Sequence, residues 1–80
     1  MIHKLKTWPH FYQDVVRKKK SFEVRKNDRN FRVGDTLILE EWLPNLDKYS
    51  GDSLKVKIEY LLQGGVFGIE KDYCVIGFNP

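Results

Sequence analysis

The residues from Leu54 to Tyr60 alternate between apolar and charged side chains, and this pattern limits the fold more than any other. The apolar members are Leu54, Val56, Ile58 and Tyr60, and the charged ones are Lys55, Lys57 and Glu59. Successive side chains of a β-strand point to opposite faces, so the run predicts a strand with one apolar and one solvated face. The chain is therefore expected to contain a β-sheet.

Four further segments predict strands. Residues 2–6 alternate weakly and suit a short edge strand, and residues 21–25 have the period of a strand. Residues 36–42 have apolar residues on both faces, and residues 73–78 form a closing strand. Residues 43–52 are rich in turn formers and predict a loop or a wide hairpin. Gln63 and the glycines that follow it break the clearest strand, and these glycines are expected to serve turn geometry. The secondary alternative is a glycine-rich loop whose backbone approaches a bound nucleotide closely.

A single helix is predicted near the start of the chain. Thr7 suits the N-cap position and Pro9 the first turn. Apolar residues then recur at helical spacing through about Lys18: Trp8, Phe11, Tyr12, Val15 and Val16. One early helix followed by strands alone indicates an α+β fold, a small barrel of about five strands with one N-terminal helix.

Length and composition limit the domain count and the compartment. Eighty residues form one domain, residues 1–80, and 41% hydrophobic content suffices for a packed core. Cys74 is the sole cysteine, so no internal disulfide can form, and a buried, inert thiol in a cytoplasmic protein is expected. No apolar run approaches the length of a membrane span, which predicts a soluble protein without a membrane partner.

Charge is divided unevenly between the two parts of the chain. Residues 1–32 hold ten basic and three acidic side chains, a net charge of +7, whereas residues 33–80 hold four basic and eight acidic ones, a net charge of −4. The first part is therefore the expected footprint for a phosphate-bearing partner. Basic residues 17–20 also suit the C-terminal end of a helix dipole, which offers a purely structural explanation for the first three of them.

Within residues 18–35, the predicted strand 21–25 places Phe22 and Val24 on one face and Glu23 and Arg25 on the other. Polar residues 27–30 follow as a turn. The stretch resembles a known family. It contains Lys18-Lys19-Lys20-Ser21-Phe22-Glu23 and, after the turn, Val33-Gly34-Asp35. This arrangement is similar to the G-x-K-x-x-E signature of ASCH domains, which belong to the PUA-like superfamily.

The resemblance extends over nearly the whole chain. Residues 3–9, 23–29 and 63–68 resemble a branch of short bacterial and phage proteins of unknown function. The resemblance implies a PUA-like barrel. Lys18 stands where the family usually has glycine, so it either accepts a strained positive φ or lies in a different bend.

Charged and polar residues around this strand form the candidate site for single-stranded or short RNA, or for a nucleotide-like ligand. Lysine and arginine donate to phosphate, glutamate accepts from a base amine, and an aromatic ring supplies a stacking surface, either Trp8 and Tyr12 or Trp42. The predicted site residues are Lys6, Trp8, Lys20, Glu23, Arg25, Asn27, Asp28 and Arg29. The structural alternative is an ion-pair network in which Glu23 pairs with Arg25 or Lys20.

An enzyme is the second hypothesis. A related ASCH branch hydrolyses acylated cytidines with a Lys, a Thr and a Glu. Lys20 matches the Lys, whereas Glu23 replaces the Thr, so the resemblance implies at most a different nucleoside-directed hydrolase with Lys20 and Glu23 in acid–base roles. A partner-binding regulator is the third hypothesis.

No cofactor or metal is expected, because His3 and His10 lack ligand partners at typical spacing, and His3 is expected on the surface.

Overall fold

The computed structural model describes residues 1–79. Its elements in chain order are β1 (Ile2–Thr7), α1 (Pro9–Val16), β2 (Phe22–Lys26), β3 (Thr36–Leu43), β4 (Lys48–Gln63) and β5 (Tyr73–Asn79). One helix and five strands within residues 1–79 confirm the predicted α+β class.

The five strands form one sheet in the order β1-β3-β4-β5-β2. β1 is parallel to β3, and the other neighbouring strands are antiparallel. β1 and β2 are thus the two edges of the sheet, yet Arg25 of β2 donates a hydrogen bond to the Lys6 carbonyl of β1. The sheet therefore curls into a half-barrel whose edges face each other.

Buried apolar side chains from the sheet form one core, and α1 and the β2–β3 connection complete it. Leu37, Leu39, Ile58 and Ile76 are fully buried on the strands, and Val15 is fully buried on the helix. Burying one such aliphatic side chain stabilises the fold by roughly 1.5–3 kcal/mol. The predicted alternation of β5 is confirmed, since Cys74, Ile76 and Phe78 are all buried.

The helix is shorter than the sequence predicts at both ends. Thr7 belongs to β1, where it pairs with Glu41, so Trp8 is the N-cap and makes no side-chain capping bond. Pro9 does begin the helix. The helix ends at Val16, which leaves the basic cluster outside its last turn.

A Schellman motif ends the helix and explains the conformation of Lys18. The Lys18 amide donates to the Val15 carbonyl at 3.0 Å, and the Lys19 amide donates to the Asp14 carbonyl at 2.9 Å. Lys18 then occupies the position after the C-cap with φ of 61°. Of the two alternatives considered for Lys18, the strained positive φ is the one adopted.

β4 is longer than predicted and changes face once. The hairpin turn is confined to residues 44–47, and β4 starts at Lys48. A register shift lies between Ile58 and Tyr60, which pair with Phe78 and Gly77. This bulge reverses the alternation, so Tyr60 is 68% exposed while Leu61 packs on the core.

Candidate functional site

A cleft of about 510 Å³ opens where β1, α1 and β2 meet. Its lining comprises residues 6–8, Phe11, Lys20 and residues 22–25. A volume of this size falls within the range of about 300–1,000 Å³ that is typical of small-molecule sites.

Three aromatic rings at the cleft are half-exposed. Trp8 is 57% exposed, Phe11 47% and Phe22 45%. Trp8 and Phe11 are three residues apart at the start of the helix and therefore lie on one side of it. Phe22 lies on β2 on the opposite face from Glu23, because neighbouring strand residues alternate. The cleft thus offers apolar ring surface to a ligand.

Glu23 is buried in the cleft wall between two cations. The Lys20 ammonium lies 2.7 Å from Oε1, and Arg25 Nε lies 3.4 Å from Oε2. Only 8% of the Glu23 side chain is exposed, compared with 16% for Lys20 and 26% for Arg25. Both carboxylate oxygens are thereby held in a defined orientation.

The Lys20 ammonium also contacts two of the aromatic rings. It lies 5.5 Å from the centroid of Phe11 and 5.2 Å from that of Phe22. Both distances are within the range of cation–π attraction. Lys20 is therefore positioned by the two rings as well as by Glu23.

Arg25 links this cluster to the opposite edge of the sheet. Its Nη2 donates to the Lys6 carbonyl at 2.7 Å and approaches Thr7 Oγ1 at 3.4 Å. The Lys6 ammonium extends over the Trp42 ring, 3.9 Å from its centroid. Two cations, Lys20 and Arg25, therefore surround the carboxylate of Glu23, and Lys6 is a third basic residue in the cleft lining.

The structure brings five of the eight predicted site residues together, namely Lys6, Trp8, Lys20, Glu23 and Arg25. The other three lie outside the cleft. The Asn27 amide donates to Gln63 Oε1 at 2.9 Å, Asp28 is exposed, and Arg29 donates to the Lys4 carbonyl.

The sequence left four lining residues unidentified: Thr7, Phe11, Phe22 and Val24. Phe11 could have been identified from the sequence, because it follows Trp8 by three residues and a helix places both rings on one side. Of the other rings considered for stacking, Tyr12 is only 4% exposed, and Trp42 lies partly buried beneath Lys6.

His3 is not the surface residue that the sequence predicts. It is 6% exposed, and its Nε2 lies 2.8 Å from Oδ2 of Asp35. This hydrogen bond is the main reason why the pKa of Asp35 is lowered, and the N-terminal amine and the Arg32 amide lower it further. Among residues 1–79, no group of three or more metal-ligating side chains is found.

Two other sequence features have structural explanations. Burial raises the pKa of the Cys74 thiol, as expected for an inert cysteine. In the glycine-rich turn, a Cβ on Gly64 would lie 1.8 Å from the Glu70 carbonyl oxygen, so close backbone packing requires glycine there. No helix within the described part of the chain has the length and hydrophobicity to cross a bilayer.

Comparison with known proteins places the chain in a family. The chain is 39% identical over 57 residues to a protein of Escherichia phage P2 described as "Uncharacterized 12.9 kDa protein in GpA 3'region". That match covers 71% of this chain and 50% of the phage protein, so the chain spans about half the length of the curated relative it matches. A model described as "Domain of unknown function (DUF3850)" matches residues 2–78. The chain therefore belongs to the DUF3850 family.

Proposed function

We propose that this domain is a binding module whose cleft holds a nucleotide or a short single-stranded RNA segment. The observation that carries the proposal is the placement of exposed aromatic rings beside a buried carboxylate that is paired with two cations, with Lys6 as a third basic residue in the lining. These groups are the ones that recognise a base, its edge and its phosphate.

The rings supply the stacking surface. Trp8 is 57% exposed although it is a large apolar side chain, and it lies in a concave site. Stacking of one base on an aromatic side chain contributes about 1–3 kcal/mol. Trp8 is the ring best suited to this, with Phe22 on the neighbouring strand.

The charges favour a short ligand over a long duplex. Lys6, Lys20 and Arg25 outnumber Glu23 at the cleft, which attracts phosphate. The remainder of the chain, residues 33–80, carries a net charge of −4 and would repel an extended polyanion. A mononucleotide or a few nucleotides of single strand fit this distribution.

The family resemblance supports the same proposal. We assign the half-barrel to the PUA-like superfamily and its ASCH branch on the resemblance of residues 18–35. Lys20 and Glu23, the Lys and the Glu of the G-x-K-x-x-E signature, both line the cleft.

Fluorescence anisotropy with short labelled single-stranded RNAs tests the proposal. Trp8→Ala removes an exposed ring and is expected to weaken binding by about tenfold, the loss of one stacking contact. Lys20→Ala and Arg25→Ala are expected to weaken binding and to reduce its salt dependence. Lys55→Ala, an exposed lysine on β4, is the charge-matched control.

Unchanged affinity in Trp8→Ala, Lys20→Ala and Arg25→Ala would refute the proposal. Thermal melting of each variant separates lost binding from lost folding. Trp8→Ala is informative even if the charge variants fold poorly, because a half-exposed side chain contributes little to the core.

A small nucleoside-directed hydrolase is the second candidate, favoured by the 2.7 Å contact between Lys20 and Glu23 at the cleft wall. A carboxylate and an ammonium in contact can exchange a proton with a bound nucleoside. Incubation with modified nucleosides followed by mass spectrometry tests this. Product that forms with the parent protein and not with Lys20→Ala would support the hydrolase, and no product would dismiss it.

A further inference from the structure

We propose that the cleft selects guanine over the other bases, through the carboxylate of Glu23 and the ammonium of Lys20. The inference rests on the proposed function, since it names the base that the site recognises. The underlying observation is that Glu23 lines the cleft with both oxygens fixed by cations.

Glu23 keeps acceptor capacity in this arrangement. Lys20 occupies Oε1 at 2.7 Å and Arg25 Nε lies 3.4 Å from Oε2. Each carboxylate oxygen has two lone pairs, so one on each remains for a ligand. Because the side chain is only 8% exposed, a donor that reaches it binds in a partly desolvated site, where hydrogen bonds to a charged group are strong.

A pair of adjacent acceptors discriminates sharply among the bases. Guanine presents two neighbouring N–H donors on its Watson–Crick edge, at N1 and at the exocyclic N2. Adenine, cytosine and uracil each place an acceptor beside their donor. That acceptor would face the second carboxylate oxygen, and the lone pairs of the two acceptor atoms would repel each other.

Lys20 extends the match to a third position. Guanine carries its O6 acceptor beside N1–H, and an ammonium has three donors, of which one is directed at Glu23. Lys20 and Glu23 thus present one donor followed by two acceptors. Guanine presents the complementary order, with the O6 acceptor followed by the N1–H and N2–H donors. Arg25 does not compete for the base, because its Nη2 is bonded to the Lys6 carbonyl.

Isothermal titration calorimetry of the full chain with the 5′-monophosphates of guanosine, inosine, adenosine, cytidine and uridine tests the inference. We expect guanosine monophosphate to bind about tenfold more tightly than the adenosine, cytidine and uridine compounds, the difference typical of one bidentate contact. Inosine monophosphate lacks only the N2 amine and is expected to bind with intermediate affinity. A parallel titration with short RNA strands with and without guanine shows whether free or strand-borne guanine is preferred.

The variant Glu23→Gln tests the same contact from the protein side. An amide offers one acceptor and one donor, so the ratio of the affinity for guanosine monophosphate to that for adenosine monophosphate should fall to about one. Lys55→Ala should keep the preference. The comparison of inosine with guanosine needs no variant, so a Glu23→Gln protein that fails to fold leaves the test intact.

The outcomes separate the two proposals. Equal affinity for all five compounds, or a guanine preference that survives in folded Glu23→Gln, would overturn the guanine inference and leave nucleotide binding in place. Absence of binding for every mononucleotide and strand would overturn the proposed function and the inference with it.

Discussion

The guanidinium of Arg25 on one edge strand lies 2.7 Å from the main-chain carbonyl oxygen of Lys6 on the other edge strand. Arg29 makes the corresponding contact with the Lys4 carbonyl, two residues back along the same edge. Two arginine side chains thus occupy backbone acceptors that a closed barrel would pair with a neighbouring strand. An edge covered in this way is protected from pairing with another chain.

Arg25→Ala is expected to lower the free energy of unfolding by about 1–2 kcal/mol, because a hydrogen bond from a charged donor to the Lys6 carbonyl is lost. Arg25→Lys should recover only part of this, since an ammonium lacks the planar fork that reaches Glu23 and Lys6 together. Urea denaturation measures both. The exposed Arg17 is the control, and Arg17→Ala should change stability by less than about 0.5 kcal/mol.

Lys20 and Glu23 are expected to be energetically coupled, because each is largely buried and lies 2.7 Å from the other. Removing either partner leaves the other charge without its closest counterion. A double-mutant cycle of Lys20→Ala, Glu23→Ala and the double variant should give a coupling energy of about 1–3 kcal/mol. A coupling energy near zero would show that the pair is screened by solvent.

Lys18→Gly is expected to stabilise the protein by about 1 kcal/mol, because Lys18 has φ of 61° at a position where glycine carries no Cβ penalty. Part of the gain is offset by the larger chain entropy of glycine in the unfolded state. Thermal or urea unfolding provides the measurement. Lys19→Gly is the matched control and should not stabilise; equal effects at both positions would argue against backbone strain at Lys18.

The loss of folding stability at acid pH should depend on Asp35. Its pKa is lowered by the hydrogen bond with His3, and also by the N-terminal amine and the Arg32 amide. The pKa of Asp35 in the folded protein lies below its ordinary value of 3.8, so the ionised carboxylate stabilises the fold fully at pH values above 3.8. This stabilisation is lost as the pH falls below 3.8. Asp35→Asn should therefore melt at a lower temperature near neutral pH and show a shallower decline in acid. Parallel acid declines in melting curves of the two proteins would contradict this.

The order and type of the elements could be predicted from the sequence because they depend on local patterns. Alternation in residues 54–60 and 73–78 and the helical spacing after Pro9 are properties of neighbouring side chains. Thr7 shows where local reasoning fails: its hydroxyl suits an N-cap, yet pairing with Glu41 keeps it in β1. Tyr60 is a second case, since the bulge beside it arises from the register with β5.

For the candidate site, the sequence by itself determined the charged face of β2, with Glu23 and Arg25 on one side, and the concentration of basic residues before residue 33. Only the tertiary structure decided that Glu23 is buried against Lys20, that Asn27 and Arg29 serve the scaffold, and that His3 reaches Asp35 across 32 positions of sequence. The physical reason is that alternation and charge are properties of the chain locally. Burial and hydrogen-bond partners depend on which distant segments the curled sheet brings together.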